Sequence, residues 1–368
     1  MQWAEPTQLA DLFAVFAALD RGETVGLLPR AGALPPATPP ASAQETLLGV
    51  CSSGSTGRPK VIWRRWRELR AGPTRSEHLQ GWTWASPYEP FTFAGVQVAL
   101  QAWVCDGKVL SLNTDWGLAW HTLRQAAVDA LSCTPTYVDL LLQNEEGERE
   151  GEGGREGERE GERLPVLGQK PPWVGLRQIT LGGEALRPAL GTRLAQRFPN
   201  ARFTVIYATA ELGVLLKTHR LDGWYETASL AKGHPRWRIN AGVLEVQLGE
   251  HWQTTGDQVE LQGDLLRVIG RADAVANVAG TKVSLAEVSE LAEQVPGVRR
   301  AMAVAQASPI TGQIVCLKYA VEPDCDAGAV TTALQTHLQS RLRKEAWPRK
   351  WVLDEVGPEV NAKRRLQA

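Results

Sequence analysis

No run of 18 or more apolar residues occurs in the 368-residue chain, so no membrane-spanning helix is predicted. The opening MQWAEPTQLADLF lacks the basic stretch and apolar core of a secretory signal. No C-x-x-C pair occurs among the five cysteines, Cys51, Cys105, Cys133, Cys316 and Cys325, and their odd number argues against a disulfide framework or a zinc site. Net charge is nearly absent as well: 40 Lys+Arg against 41 Asp+Glu leave −1, which steers the chain toward neither nucleic acid nor a membrane surface. These absences predict a soluble, cytoplasmic protein with no nucleic-acid partner and no membrane span.

What is present is unevenly spread. Residues 145–163, EEGEREGEGGREGEREGER, hold nine Glu, four Arg and six Gly. Without them the balance is 36 basic against 32 acidic residues, or +4, which suits an anionic small-molecule ligand and equally an ordinary solvated surface. The tract has no aromatic or β-branched residue to bury, so it is predicted to be a disordered insertion, with a solvated single helix as the alternative. Length and an apolar share of 43% allow two buried cores.

Leu9, Leu12, Phe13, Phe16 and Leu19 keep the spacing of an amphipathic helix, and the Pro/Ala run at 33–43 reads as a linker. Leu47–Cys51, Lys108–Leu112, Ala130–Cys133, Gln178–Leu181 and Arg202–Tyr207 read as strands. Trp116–Ala127 and Pro188–Arg197 between them read as helices, and this alternation predicts an α/β, largely parallel sheet. From about Gly242 the pattern changes to half-exposed strands, Val243–Leu248, Gln258–Leu261 and Leu265–Arg271, followed by about a hundred residues of βα character. The predicted organisation is a large domain over 1–271 and a small α+β domain over 272–368.

The first chemical signal is Ser52-Ser53-Gly54-Ser55-Thr56-Gly57-Arg58-Pro59-Lys60, directly after a buried strand. Glycines let a backbone approach phosphate oxygens and present N–H donors, hydroxyls add donors, and Lys60 adds a point charge. It is not a Walker A loop, because Pro59 stands where the second glycine is needed.

This run resembles the phosphate loop of the adenylate-forming (ANL) superfamily, the AMP-binding acyl- and aryl-CoA ligases, adenylation domains and luciferases. Further motifs follow in the family's order. Gly182-Gly183-Glu184-Ala185-Leu186 is similar to the adenine-contacting turn, and Tyr207-Ala208-Thr209-Ala210-Glu211 to the Y-G-x-T-E motif. Thr255-Gly256-Asp257 matches T-G-D, Gly270-Arg271-Ala272-Asp273 matches the G-R-x-D hinge, and Gly280-Thr281-Lys282-Val283 through Glu287-Val288 matches the segment after it. Pro358 to Lys363 resembles the closing P-x-x-x-G-K.

The resemblance implies ATP, Mg²⁺ and coenzyme A as ligands and a carboxylic acid activated as an acyl-adenylate. It places the phosphates on Ser52, Ser53, Gly54, Ser55, Thr56, Gly57 and Lys60, and Mg²⁺ on Glu211. Tyr207 would stack on adenine, with Gly183, Glu184 and Ala185 on the other side. Asp257 and Arg271 would bind the ribose, Lys363 would bridge acid and α-phosphate, Asp273 would be the hinge, and Gly280 would let a pantetheine arm pass. Read without the resemblance, Glu211 also suits a helix start and Tyr207 ordinary core filling. Glu287 suits a first turn capped by Ser284. Trp82, Trp84, Tyr88, Phe91 and Phe93 are candidates for an acyl pocket or, for most of them, for plain packing.

The sequence departs from the family pattern at Ala208, Ala210 and Ala362, and has no His in 86–95. Only 51 residues precede Ser52, so the large domain is expected to be truncated relative to the family. The compact design most resembles o-succinylbenzoate–CoA ligases and implies transfer of the acyl group to CoA. The alternatives are loading of a carrier-protein phosphopantetheine, and a nucleotide-binding relic without turnover.

Overall fold

A computed structural model describes residues 2–28, 39, 45–52, 60–112, 115–152, 175–233, 236–272, 275–322 and 325–353. They form two compact units that part between Ser229 and Leu230.

In the first unit, a small sheet has the order β1 (Gln2–Ala4), β2 (Val25–Leu27), β3 (Leu47–Ser52) and β4 (Lys60–Arg65). The first three run parallel, and β4 returns antiparallel to β3. Helix α1 (Leu12–Asp20), preceded by a 3₁₀ turn at Leu9–Asp11, buries Leu12, Phe16 and Leu19 as the spacing predicts, with Leu9 buried in the turn, Phe13 half-buried and Val15 buried in addition. Phe16 stacks on Trp66 of α2 (Trp66–Ala71) with ring centroids 5.5 Å apart. The indole N–H of Trp66 donates to Asp20 at 2.7 Å.

The larger sheet contains β5 (Thr83–Ser86), β6 (Lys108–Ser111), β7 (Ala130–Cys133), β8 (Gln178–Gly182), β9 (Arg202–Thr209) and β10 (Gly213–Thr218). Their order is β10-β9-β8-β7-β5-β6, parallel except for the β9–β10 hairpin. All four residues of β7 are buried, which is why it reads as an unbroken apolar run rather than an alternating one. Helices α3 (Phe93–Val104), α4 (Trp116–Gln125), α5 (Pro135–Glu152) and α6 (Pro188–Arg197) supply the crossovers. The predicted parallel α/β sheet is present with four of the expected strands, β6, β7, β8 and β9; β5 is not among those expected, and Leu47–Cys51 lies in the small sheet instead.

The tract at 145–163 departs from expectation. Its first eight residues continue α5 to Glu152, and 153–163 lie outside the described residues. The cause is cooperative propagation: Val138, Leu140, Leu141 and Leu142 bury the first turns of α5, and once a helix exists Glu and Arg extend it readily. Two glycines, Gly147 and Gly151, are tolerated inside it.

β11 (Tyr225–Glu226) and α7 (Thr227–Gly233) lead the chain past Ser229. The second unit begins with an antiparallel meander of β12 (Trp237–Asn240), β13 (Val243–Leu248), β14 (His251–Gln262) and β15 (Leu265–Arg271). A second sheet follows, from β16 (Val275–Val278), β17 (Thr281–Ser284), β18 (Val298–Ser308), β19 (Gly312–Val321) and β20 (Lys350–Leu353), with α8 (Leu285–Glu293) and α9 (Ala327–Arg341). Its core, centred on Val288, Leu317, Leu334 and Leu338, draws only on residues after Arg271. Across that point Arg267 donates to Glu260 and pairs with Glu290 of α8, both at 2.6 Å. Ser284 caps α8 by accepting the Glu287 N–H at 3.2 Å, so Glu287 has the first-turn position its spacing predicts.

Candidate active site

In the first unit the predicted residues gather at one edge, the carboxyl ends of β5, β7, β8 and β9. In an open α/β sheet this edge is where a crevice for ligands arises, because helices begin there and side chains splay apart. β8 ends at Gly182, which pairs with Ile206 of β9. The turn at Gly183 therefore starts beside Tyr207, one residue on. Gly183 has φ +82°, a conformation that disfavours any side chain. Gly183 and Ala185 are exposed and Tyr207 is half-buried.

Glu184 is turned away from that opening. Its carboxylate accepts the N–H of Thr136 at 3.1 Å and the Thr136 hydroxyl in a short hydrogen bond, capping the start of α5. The exposed part of this turn is thus main chain and the Ala185 methyl. The Tyr88 hydroxyl donates to Gly182 O at 3.0 Å and holds the end of β8 from beneath. Burial raises the pKa of Tyr88 and of the neighbouring Cys133, so both stay neutral. Trp82 and Trp84 are core residues, and Tyr88, Phe91 and Phe93 pack against the same core.

Behind this edge, Asp139 of α5 is 1% exposed and accepts from Arg187 at 2.9 Å and Arg193 at 2.8 Å. The sequence signal is a lone acid inside the apolar stretch TYVDLLL.

The phosphate-loop candidate is rooted at the same edge. Ser52 and Lys60 are directly paired, so the loop is the end of the β3–β4 hairpin, and Lys60 is exposed. The N–H of Cys51 donates to Phe91 O at 2.8 Å, fastening the root to the segment after β5. Ser53, Gly54, Ser55, Thr56 and Gly57 lie outside the described residues, as do Asp273 and Lys363.

Glu211 sits in the loop between β9 and β10, where Thr209 pairs with Gly213, and its carboxylate is exposed. It is at a hairpin tip rather than a helix start. Among the described residues no cluster of three or more His, Cys, Asp or Glu could enclose a metal ion. A single carboxylate fits Mg²⁺, which keeps several waters and takes its other oxygens from phosphates.

The second unit brings Asp257 and Arg271 together. They are directly opposed on β14 and β15, with Oδ1 3.6 Å from Nη1. Arg271 also donates to Thr255 O at 3.2 Å, and its guanidinium lies where a Cβ on Gly256 would meet it at 2.9 Å. The glycine of T-G-D is favoured by its φ of +74°, a conformation that disfavours any side chain. Gly280, φ +84°, follows Ala279, φ +48°, in the β16–β17 turn. Two successive positive φ values define the mirror-image turn favoured in hairpins. Turn geometry accounts for this glycine, since an added Cβ would meet nothing within 4 Å.

The AMP-binding enzyme family matches residues 7–260. A Salicylyl-CoA synthase / salicylate adenylyltransferase from a Streptomyces species is 45% identical over 74 residues, which are 20% of this chain and 13% of that protein. Among solved structures, o-succinylbenzoate CoA synthetase (MenE) from Bacillus subtilis, in complex with the acyl-adenylate intermediate OSB-AMP, has a TM-score of 0.55 at 16% identity, covering 84% of this chain and 65% of that one. ATP-bound MatB from Rhodopseudomonas palustris has a TM-score of 0.61 at 15% identity, covering 99% of this chain and 78% of that one. Identities this low show a shared fold. With the family match spanning more than half of the residues, the chain belongs to the AMP-binding enzymes.

Proposed function

We propose that the protein activates a carboxylic acid with ATP and passes the acyl group to a thiol. The acid's oxygen attacks the α-phosphorus, the bond to pyrophosphate breaks, and an acyl-adenylate forms. A thiol then displaces AMP to give a thioester. The observation that carries this reading is the placing of Gly183, Ala185, Tyr207 and Glu211 at one sheet edge, to which the β3–β4 hairpin is tied by Cys51 and Arg64.

The tasks follow from the chemistry. Two anions must meet, so their charge needs screening and their reacting atoms need alignment. Lys60 and the hydroxyls and amides of residues 52–57 take the phosphates. Glu211 holds Mg²⁺, which when bound neutralises phosphate charge. Tyr207 stacks on the base, Asp257 and Arg271 take the ribose hydroxyls, and Lys363 bridges the acid and the α-phosphate. Asp273 is the hinge between residues 1–271 and 272–368, and Gly280 borders the path of a pantetheine arm. The part-length relative makes an aryl acid such as salicylate the first substrate to try, with o-succinylbenzoate beside it.

The test is acid-dependent pyrophosphate release with ATP and Mg²⁺ across a panel of aryl and alkyl acids, with CoA, with a phosphopantetheinylated carrier protein, or with neither. Acid-dependent release, and a thioester with one of the thiols, is expected. ATP binding without exchange for any acid would mean a nucleotide-binding protein instead.

A further inference from the structure

Arg64 is the one described basic residue whose guanidinium reaches under the Glu211 loop, and no sequence motif singled it out. It lies on β4, four residues beyond Lys60, opposite Leu48 of β3. Lys60, Ile62 and Arg64 share one face of β4 by the two-residue period of a strand. Its Nη1 donates to the carbonyls of Ala210 at 3.1 Å and Glu211 at 2.6 Å. Its Cζ lies 5.7 Å from the centre of the Phe93 ring. Nη2 would be 3.2 Å from a Cβ on Gly213, whose φ of +81° closes the loop. The loop's other end is tied by the Leu212 N–H donating to Thr209 Oγ1 at 3.0 Å.

An arginine normally finds a carboxylate or phosphate, because its fork matches two anionic oxygens. Here it spends its donors on two consecutive neutral carbonyls. Burial lowers its pKa, opposed by the charges of Glu68 and Glu211, but a guanidinium remains protonated in any such setting. The hydrogen bonds fix the main chain on both sides of the Glu211 Cα while the carboxylate stays exposed. They also join two motifs nearly 150 positions apart in sequence, because the strand that leaves the phosphate loop carries the donor.

We propose that Arg64 is a positioning residue for Glu211, holding the loop so that its carboxylate is presented to a Mg²⁺–nucleotide at a fixed place relative to Lys60. This rests on the reading of Glu211 as the Mg²⁺ ligand. It differs from a purely structural role, in which the hydrogen bonds would stabilise the hairpin and leave metal use untouched.

The experiment is calorimetric titration of the full chain with ATP, in Mg²⁺ and in EDTA, for wild type, Arg64→Ala, Arg64→Lys, Glu211→Gln and the Arg64→Ala/Glu211→Gln double variant. The quantity read is the Mg²⁺-dependent gain in ATP affinity. Glu211→Gln should remove most of that gain. Arg64→Ala should reduce it by about 10- to 100-fold, the usual effect of losing a partner that orients a metal ligand. The double variant should be no worse than Glu211→Gln, since residues that act through one another are non-additive. Arg64→Lys should keep wild-type affinity in EDTA, because its charge remains, and lose part of the gain, because one ammonium does not reproduce the planar fork. It also carries the test if Arg64→Ala does not fold. A full gain in folded Arg64 variants with only a lowered Tm, or losses that add in the double variant, would overturn the placement. A full gain in Glu211→Gln would overturn the reading of Glu211 itself, and that single variant tells the two failures apart.

Discussion

Asp257 and Arg271 face each other across β14 and β15, carboxylate to guanidinium at 3.6 Å, and the arginine is further held by the carbonyl of Thr255. Both side chains are therefore oriented before any ligand arrives. If they take the ribose hydroxyls together, removing either releases the other. Asp257→Asn and Arg271→Ala should each weaken ATP binding by roughly tenfold, and the double variant should lose far less than the product of the two. Calorimetry with ATP reads this directly; unchanged affinity in Asp257→Asn would remove it from the ribose site.

Lys363 is proposed to act only while negative charge builds between acid and α-phosphate. Lys363→Ala should then slow acyl-adenylate formation by about 10²-fold or more, as loss of one preorganised donor does. Thiol attack on supplied acyl-adenylate should be nearly spared. Rapid-quench measurement of the two half-reactions separates these outcomes, and equal loss in both would point to a folding defect.

Asp139 is almost fully buried between two arginines, so its role is structural even though it lies close to the nucleotide edge. Asp139→Asn removes the charge that both partners were placed to meet. Hydrogen bonds to charged groups contribute about 1.5–3 kcal/mol, and a loss of stability of that order is expected in urea denaturation. Nucleotide affinity of the folded fraction should be unchanged; a selective loss of affinity would assign Asp139 to the site.

Cysteine chemistry should be confined to one position. Cys51, Cys105, Cys133 and Cys316 are buried, and burial pushes the Cys51 thiol up to about 11. Cys325 is exposed. Iodoacetamide at pH 8 should label Cys325 within minutes and the others only as the protein unfolds, since the thiolate is the reacting form. Rapid labelling of Cys51 in the native protein would contradict its placement at the end of β3.

Much of this fold was legible because its central strands carry buried apolar residues between helical patterns. Ala130–Cys133 stands out as an apolar run, Gln178–Leu181 alternates with Ile179 and Leu181 buried, and Pro188–Arg197 begins with a proline where a helix accepts one. β4 was not legible: Lys60 to Arg65 is polar at both ends and gains its strand character from pairing with β3. β1 and β2 are three residues each, too short for any periodicity to show. The helix beyond Leu142, the alternative reading of the tract, extends to Glu152 because packed turns precede it, which composition alone does not show. Motif spacing singled out Tyr207, Glu211, Asp257 and Arg271 as candidates. Arg64 and Asp139 could not be found that way, since their partners lie far off in sequence and only the folded chain brings them near.

The orientation of Glu184 bears on how this protein can diverge. With its carboxylate committed to Thr136, the exposed rim of the Gly183 turn is peptide groups and one methyl. If the proposed nucleotide docks here, its base edge meets atoms that every amino acid possesses, so point substitution in this turn has little means of altering which nucleotide is accepted. Side chains elsewhere on the edge carry no such protection. Drift should therefore change the acid far sooner than the nucleotide, and paralogues of this chain would be expected to differ in what they activate while sharing the currency they activate it with.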